Sequence, residues 1–271
     1  MRRTFETDRP TLLHVELGAG RLHVHADAVA QTIVDVDGPG ADRVAVERQG
    51  GTVTITQPMG RGLLHADAPT VAVTLPRDSR LVARVGRAGV DATGRLGSTR
   101  VKSGSGDVHL EEVGQEAVVD CGSGDIIVTR SGGTLRLRSG SGRIEVGRAD
   151  ADVVASSGSG AVTVASCGGS VSLKSGSGAV AVQDAGGDAS LTSGSGDVVV
   201  GRIARGGVAA RAASGDGTIG IPPGTPVWTD VTTVSGAIHS TLVSAGRPAP
   251  GQDFVEVRAR TVSGDVHLAH V

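Results

Sequence analysis

The chain has 271 residues, 26 of them basic and 28 acidic, for a formal charge of −2 at neutral pH. That balance lacks the cationic footprint that a phosphate backbone requires, so nucleic acid is not an expected partner. Phe5, Trp228 and Phe254 make up the whole complement of Phe, Trp and Tyr, which removes the stacking platforms that bases and sugars use.

The N-terminal residues carry Arg2 and Arg3 with no apolar run behind them, and no later stretch reaches the roughly 20 apolar residues that span a bilayer. The expectation is a cytoplasmic protein without a transmembrane segment, with association with a surface left open. Residues 1–80 hold Pro10, Pro39, Pro58, Pro69 and Pro76 and are read as an irregular β cap with the first coils. No proline follows until Pro222. A segment whose backbone N–H groups are all needed for ladders excludes proline, so the regular array is placed at 81–221.

Within it Gly104, Gly122, Gly140, Gly158, Gly176 and Gly194 recur every 18 residues. A fixed internal period means stacked units that share one core. Each repeat carries two short alternating segments. One is shown by Ile126 and Val128 and the other by Leu135 and Leu137, with Gly132 and Gly133 between them. Alternation of β-branched residues with glycine punctuation predicts two strands per coil, apolar side chains inward. The same parity carries Ser139 and Ser141 inward at a corner, where their hydroxyls can reach backbone or the serine one coil away. The corner glycines supply either a positive φ or close approach between coils. The pattern is visible upstream at Gly86–Val90 and loosely at Gly18–Val24. Downstream it returns at Ser214, Ser235 and Ser263 with stretched intervals. Residues 222–271 are read as closing coils, with inserted loops at 222–228 and 244–254 expected to contact a partner. All three parts belong to one continuous solenoid domain.

No group of residues specifies a reaction. Asp107, Asp125, Asp197, Asp216 and Asp265 each follow a corner glycine. This adjacency differs from calcium-binding rolls, and a turn aspartate bonded to its own backbone explains it. The pairs His23/His25 and His267/His270 offer half a zinc site each. Glu111-Glu112, the one adjacent acidic pair of the array, lies at a turn and needs only solvation. Cys121 and Cys167 fall at different places in their repeats and read as two small buried residues. Outward places, among them His109, Ile127, Glu145, Val118, Arg136, Val154, Ser172 and Ser190, describe flat, weakly charged walls. Catalytic, cofactor and metal residues are therefore expected to be none.

Several segments carry a resemblance. They are Phe5-Glu6-Thr7, Val15-Glu16-Leu17-Gly18-Ala19-Gly20, the Ser103–Val108 type of corner, Trp228-Thr229-Asp230-Val231, Gly236–Ser240 and Val255–Thr261. They resemble the bacterial putative-adhesin family of β-strand-repeat proteins, which carry a domain of unknown function of the 4097 type and are common in actinobacteria. The resemblance covers nearly the whole chain. It implies an all-β fold, a parallel β-helix (β-solenoid) with right-handed coils, the hand that crossover connections also favour. It implies a partner in an envelope-stress system and supplies no catalytic residues. The resulting expectation is a non-enzymatic interaction or scaffold protein. Its partner would be an unidentified protein or envelope component, and self-association is possible. A polysaccharide-acting β-helix enzyme and a self-assembling structural solenoid are the alternatives.

Overall fold

The alternating segments pair side by side into parallel sheets, as a chain of short β-branched runs separated by glycine corners dictates. The computed structural model describes residues 1–57, 68–242 and 254–271, and Pro58 and residues 244–253 of the second inserted loop therefore lie outside the described residues. The described residues are all-β apart from the short 3₁₀ turn Ala41–Arg43. They divide into two compact units, Met1–Gly133 and Thr134–Val271.

The first unit contains β1 (Arg2–Glu6), β2 (Leu12–Leu17), β3 (Arg21–Asp27), β4 (Gln31–Asp37), β5 (Ala45–Gln49), β6 (Thr52–Thr56), β7 (Thr70–Pro76), β8 (Arg80–Val85), β9 (Gly89–Leu96), β10 (Thr99–Ser103), β11 (Val108–Val113), β12 (Ala117–Cys121) and β13 (Ile126–Ser131). One sheet runs in the order β1-β4-β7-β3-β9-β11-β13 and the other β12-β10-β8-β2-β6-β5. Pairing is parallel except at β1/β4, β4/β7 and β5/β6, which are antiparallel. These antiparallel strands cover the parallel edges that would otherwise invite further pairing. Stacking order departs from chain order, because the β2–β3 coil sits between β6–β7 and β8–β9. The loosely matched copy at Gly18–Val24 thereby lies next to Gly86–Val90, with Leu22 opposite Val90.

The second unit contains β14 (Leu135–Ser139), β15 (Ile144–Ala149), β16 (Val153–Ser157), β17 (Val162–Cys167), β18 (Val171–Ser175), β19 (Val180–Ala185), β20 (Ala189–Ser193), β21 (Val198–Ile203), β22 (Gly206–Ser214), β23 (Gly217–Ile221), β24 (Val227–Ser235), β25 (Ile238–Ser240), β26 (Val255–Ser263) and β27 (Val266–His270). Its sheets run β15-β17-β19-β21-β23-β27-β25 and β14-β16-β18-β20-β22-β26-β24. The last coil in the chain, β26–β27, is inserted between β22–β23 and β24–β25. This placement accounts for the stretched intervals from Ser214 to Ser235 and from Ser235 to Ser263. Ser263 lies opposite both Ser214 and Ser235, so the chain passes one level, turns and returns beneath itself.

Both units bury the columns that the alternation predicts. Val108, Leu110, Ala117, Val119, Ile126 and Val128 in the first, and Leu135, Leu137, Ile144, Val153, Leu173 and Leu191 in the second, are almost completely inaccessible. The core is thus a set of aliphatic ladders, each residue resting on its equivalent one coil away. One member is out of place. Thr99 sits on the inner face between Leu81 and Ala117, and its Oγ1 is the buried side-chain oxygen or nitrogen without a hydrogen-bond partner among the described residues. Leaving a buried hydroxyl unmet costs about 1–3 kcal/mol. Thr99→Val is expected to stabilise the protein by about 1 kcal/mol, read as a higher urea midpoint at unchanged slope.

Candidate interaction surface

The corners use their polar groups on one another. In the second unit Ser157, Ser175 and Ser193 are buried. Each accepts the N–H of the glycine three residues on (Gly160, Gly178 and Gly196, 2.8–2.9 Å). Each also donates to the glycine carbonyl of the preceding corner (Gly142, Gly160 and Gly178, 2.8–2.9 Å). Thr261 and Thr233 take over this donation in the last coils, to Gly215 and Gly264 at 3.2 and 3.1 Å. The bonds run to backbone and not from serine to serine. Ser141, expected inward, is exposed, as are Ser123, Ser159, Ser177 and Ser195. The chain turns at the glycine after the first serine, and that turn breaks the strand parity.

Glycine serves the repeating corners through close approach. A Cβ on Gly122, Gly158, Gly176 or Gly194 would fall closer than 3.0 Å to the carbonyl oxygen of the stacked glycine one coil away. Positive φ enters at the later corners Gly215 and Gly264, at +147° and +148°.

The aspartate column also works between coils. Asp107 Oδ1 accepts the N–H of Asp125 at 2.9 Å, Asp197 that of Asp216 at 2.9 Å, Asp216 that of Asp265 at 2.8 Å, and Asp265 that of Ala237 at 2.7 Å. The predicted bond to the residue's own turn is replaced by a bond to the next coil. A carboxylate acceptor strengthens such a bond.

The remaining candidates resolve into side-chain pairs. His23 and His25 do not act together. His23 and His109 flank Asp91 on neighbouring strands, at 3.5 and 3.0 Å, while His25 Nδ1 lies 2.9 Å from Thr93 Oγ1. His267 stacks on His239 with ring centroids 4.9 Å apart, and His270 faces the Ile221 carbonyl. No group of three or more His, Cys, Asp or Glu among the described residues is arranged to hold a metal ion. Glu111 and Glu112 are more than solvated. Glu112 meets Arg130 at 3.1 Å and Arg95 at 3.6 Å, Arg95 reaches Asp78 at 2.9 Å, and Glu111 accepts the Gly94 N–H at 2.9 Å. Cys121 and Cys167 are free and buried. Cys121 occupies the corner-serine place and donates to Gly106, and burial pushes the Cys167 thiol above its usual range.

The outer faces hold what the fold leaves unused. At the first inserted loop Pro226 is buried, whereas Trp228 is exposed with the Arg258 guanidinium 5.9 Å from its ring centroid. On the outer face of β15, β17, β19 and β21, charges pair locally, Arg143 with Glu145 and Arg202 with Asp184, both at 3.5 Å. The opposite face, built by β14, β16, β18, β20, β22 and β26, differs. Val154, Ser172 and Ser190 face outward as expected, but two charged columns flank them. On one side stand Arg138, Lys174, Arg211 and Arg260, and on the other Asp152, Asp188 and Glu256. Arg138, Lys174 and Arg211 are exposed and make no ion pair among the described residues. This corrects the expectation of a weakly charged wall. The signal was present in the residue that precedes each corner serine (138, 174) and the residue that precedes each second strand (152, 188).

These features define an all-β protein with long, open sheets of parallel strands, a β-solenoid-like fold. The profile of the Toastrack DUF4097 family matches residues 33–269, and the chain belongs to that family. Among solved structures it is similar to a putative adhesin from Parabacteroides merdae, at 11% identity, covering 100% of this chain and 95% of that one with a TM-score of 0.43. A putative adhesin from Parabacteroides distasonis matches at 12% identity, 100% and 96% coverage and a TM-score of 0.43. A putative lipid binding protein from Parabacteroides distasonis matches at 14% identity, 100% and 96% coverage and a TM-score of 0.39. No curated protein matches. Among the described residues no helix is long and apolar enough to cross a membrane.

Proposed function

We propose that this chain is a non-enzymatic binding module, a right-handed β-solenoid of 18-residue coils whose outer walls contact another macromolecule. The reading keeps a cap over 1–80, an array over 81–221 and closing coils over 222–271, and it takes envelope-stress signalling from the family resemblance as the setting of the contact. One observation carries it. The corner serines and aspartates spend their hydrogen-bonding capacity between coils, while the exposed bases Arg138, Lys174 and Arg211 stand outside the fold's own bonding. Groups that stability does not use are the groups available for recognition.

The test is a photo-crosslinking amino acid placed at Ser172 on the wall and at Ser159 on a corner of the full chain, irradiated in the native host. Adducts from position 172 and none from 159 are expected. No adduct from any wall position, or depolymerising turnover of a polysaccharide by the purified protein, would overturn the reading.

A further inference from the structure

We infer that the open end of the second unit, formed by β24 and β25, binds the same end of a second copy of the chain across a two-fold axis normal to both sheets. Such a contact leaves the outer walls free for another partner. Among the described residues β24 pairs only with β26 and β25 only with β27, so both sheets stop at an unpaired edge on one level. The inward columns stop there too. Val257 and Val266 are buried, whereas Thr229 and Ile238, which continue their columns by one level, are exposed. Six of the eight large apolar side chains exposed among the described residues belong to 227–271, namely Trp228, Val234, Ile238, Phe254, Val262 and Val271. Apolar exposure concentrated in this way marks a contact. The edge strands of the first unit are guarded differently. β1 and β5 have five residues each and carry Arg2, Arg3 and Glu6, and Glu47 and Arg48, the charges that keep an edge from pairing. β24 has nine residues and one charge, Asp230, and β25 has no acid, lysine or arginine.

Two open edges on one level select the occupant. A single foreign strand extends one sheet and leaves the other open, whereas a second copy presents both edges at the same separation. The backbone also fits itself. The Val255 N–H donates to the Pro226 carbonyl at 2.9 Å, which turns the even-numbered peptide groups of this stretch toward β26 and those of Thr229, Val231 and Thr233 toward the open edge. On the other sheet the Val266 N–H donates to the Ala237 carbonyl and the Thr241 N–H to the Leu268 carbonyl, at 2.9 and 3.0 Å, which leaves Ile238 and Ser240 facing the open edge. An antiparallel pair centred on Val231 sets Val231 on its own copy and Thr229 on the copy's Thr233, each pair bonded through free peptide groups with its side chains inward. Ser240 lies four residues after Gly236, as Val231 lies four before Ser235. The same axis therefore meets the facing sheet at Ser240 and lays Ile238 against the copy's Leu242. On the outside Trp228 meets Val234 and Asp230 meets Thr232. Centring on Asp230 instead would oppose two carboxylates. An end face about 20 Å along the strands, with the sheets about 10 Å apart, buries roughly 1,000 Å² in total, at the lower bound of specific contacts. The dimer is therefore weak, and it is closed, because the two-fold axis uses up both edges.

Sedimentation velocity of the full chain over a micromolar to sub-millimolar range reads the association directly. A monomer–dimer equilibrium that persists in about 1 M salt is expected, because backbone hydrogen bonds and apolar contacts make the joint and exposed charges do not. Val231→Pro removes an N–H that β26 does not use, and Thr229→Lys points a charge into the joint from an exposed residue. Each is expected to weaken the dimer by at least about tenfold. Circular dichroism checks that both variants are folded. In a Cys121→Ser, Cys167→Ala background, Val231→Cys is expected to give a covalent dimer with a short bifunctional thiol reagent, since bonded antiparallel partners have Cα atoms about 5.5 Å apart. Ser159→Cys in the same background is expected to give none. A monomer throughout the range, assembly beyond the dimer, a dimer that neither substitution disturbs, or equal crosslinking from 231 and 159 would overturn the inference. Adducts from position 172 with another protein report on the walls alone, so the binding-module reading stands or falls separately from the dimer.

Discussion

Replacing Gly176 by alanine is expected to lower stability by about 3 kcal/mol, a fall of roughly 6–12 °C in melting temperature. The added methyl group would point at the Gly158 carbonyl oxygen from closer than 3.0 Å. Neither partner can retreat freely. Gly176 N–H donates to the Ser157 carbonyl at 3.2 Å, and Ser175 ties the two corners together through Gly160 and Gly178. Coil spacing is therefore fixed by hydrogen bonds on either side of the clash, and relief means breaking some of them. Gly51→Ala serves as the control, because a Cβ there meets nothing within 4 Å. Its effect should lie within about 0.5 kcal/mol. Thermal unfolding of the two variants decides the point, and equal effects would mean that the corners are not stacked.

The second large effect is expected at Leu173. Its side chain is fully buried, between Ala155 on one neighbouring strand and Leu191 on the other. Leu173→Ala removes the larger partner beside a residue that is already small. The parallel ladders hold the coils at constant spacing, so the cavity cannot close by collapse. Its cost should fall toward the upper part of the range for such truncations, about 4 kcal/mol. Val154, one strand away and 47% exposed, provides the contrast, with Val154→Ala expected within about 0.5 kcal/mol. Urea denaturation measures both. A Leu173 variant no less stable than the Val154 variant would show that the inner and outer faces have been exchanged.

Much of this architecture is legible in the sequence because it is local. The alternation of Ile126 and Val128, or of Leu135 and Leu137, identifies inward residues without knowledge of the neighbouring coil, and proline exclusion marks ladder backbone. What escapes the sequence is set by contacts between coils. Nothing in residues 12–27 says that they stack between 52–76 and 80–96, since all three coils present the same aliphatic interior. The interval of 28 between Ser235 and Ser263 hints at the excursion, but only pairing reveals that β26–β27 lies inside β24–β25. The acceptor role of Asp197 is obscure for the same reason, because its donor, Asp216, belongs to the next level.

The candidate surface was half legible. The central outward column, with Val154, Ser172 and Ser190, follows from parity. The flanking columns need register: Arg138 and Lys174 become neighbours in a column only when β14, β16 and β18 are laid side by side. Histidine behaves alike, since Asp91 joins His23 to His109 only through strand pairing.

The stacking of corners in register is tested most directly by bridging exposed serines with a short bifunctional thiol reagent. Cys121→Ser and Cys167→Ala, both residues found at equivalent places in other repeats, provide the background. Ser159→Cys with Ser177→Cys places two thiols on adjacent levels, about 4.8 Å apart, and Ser159→Cys with Ser195→Cys places them two levels apart, about 10 Å. Rapid intramolecular bridging of the first pair and none of the second is the expected result. Equal bridging of both pairs, or failure of the first in folded protein, would contradict a stack of coils in register.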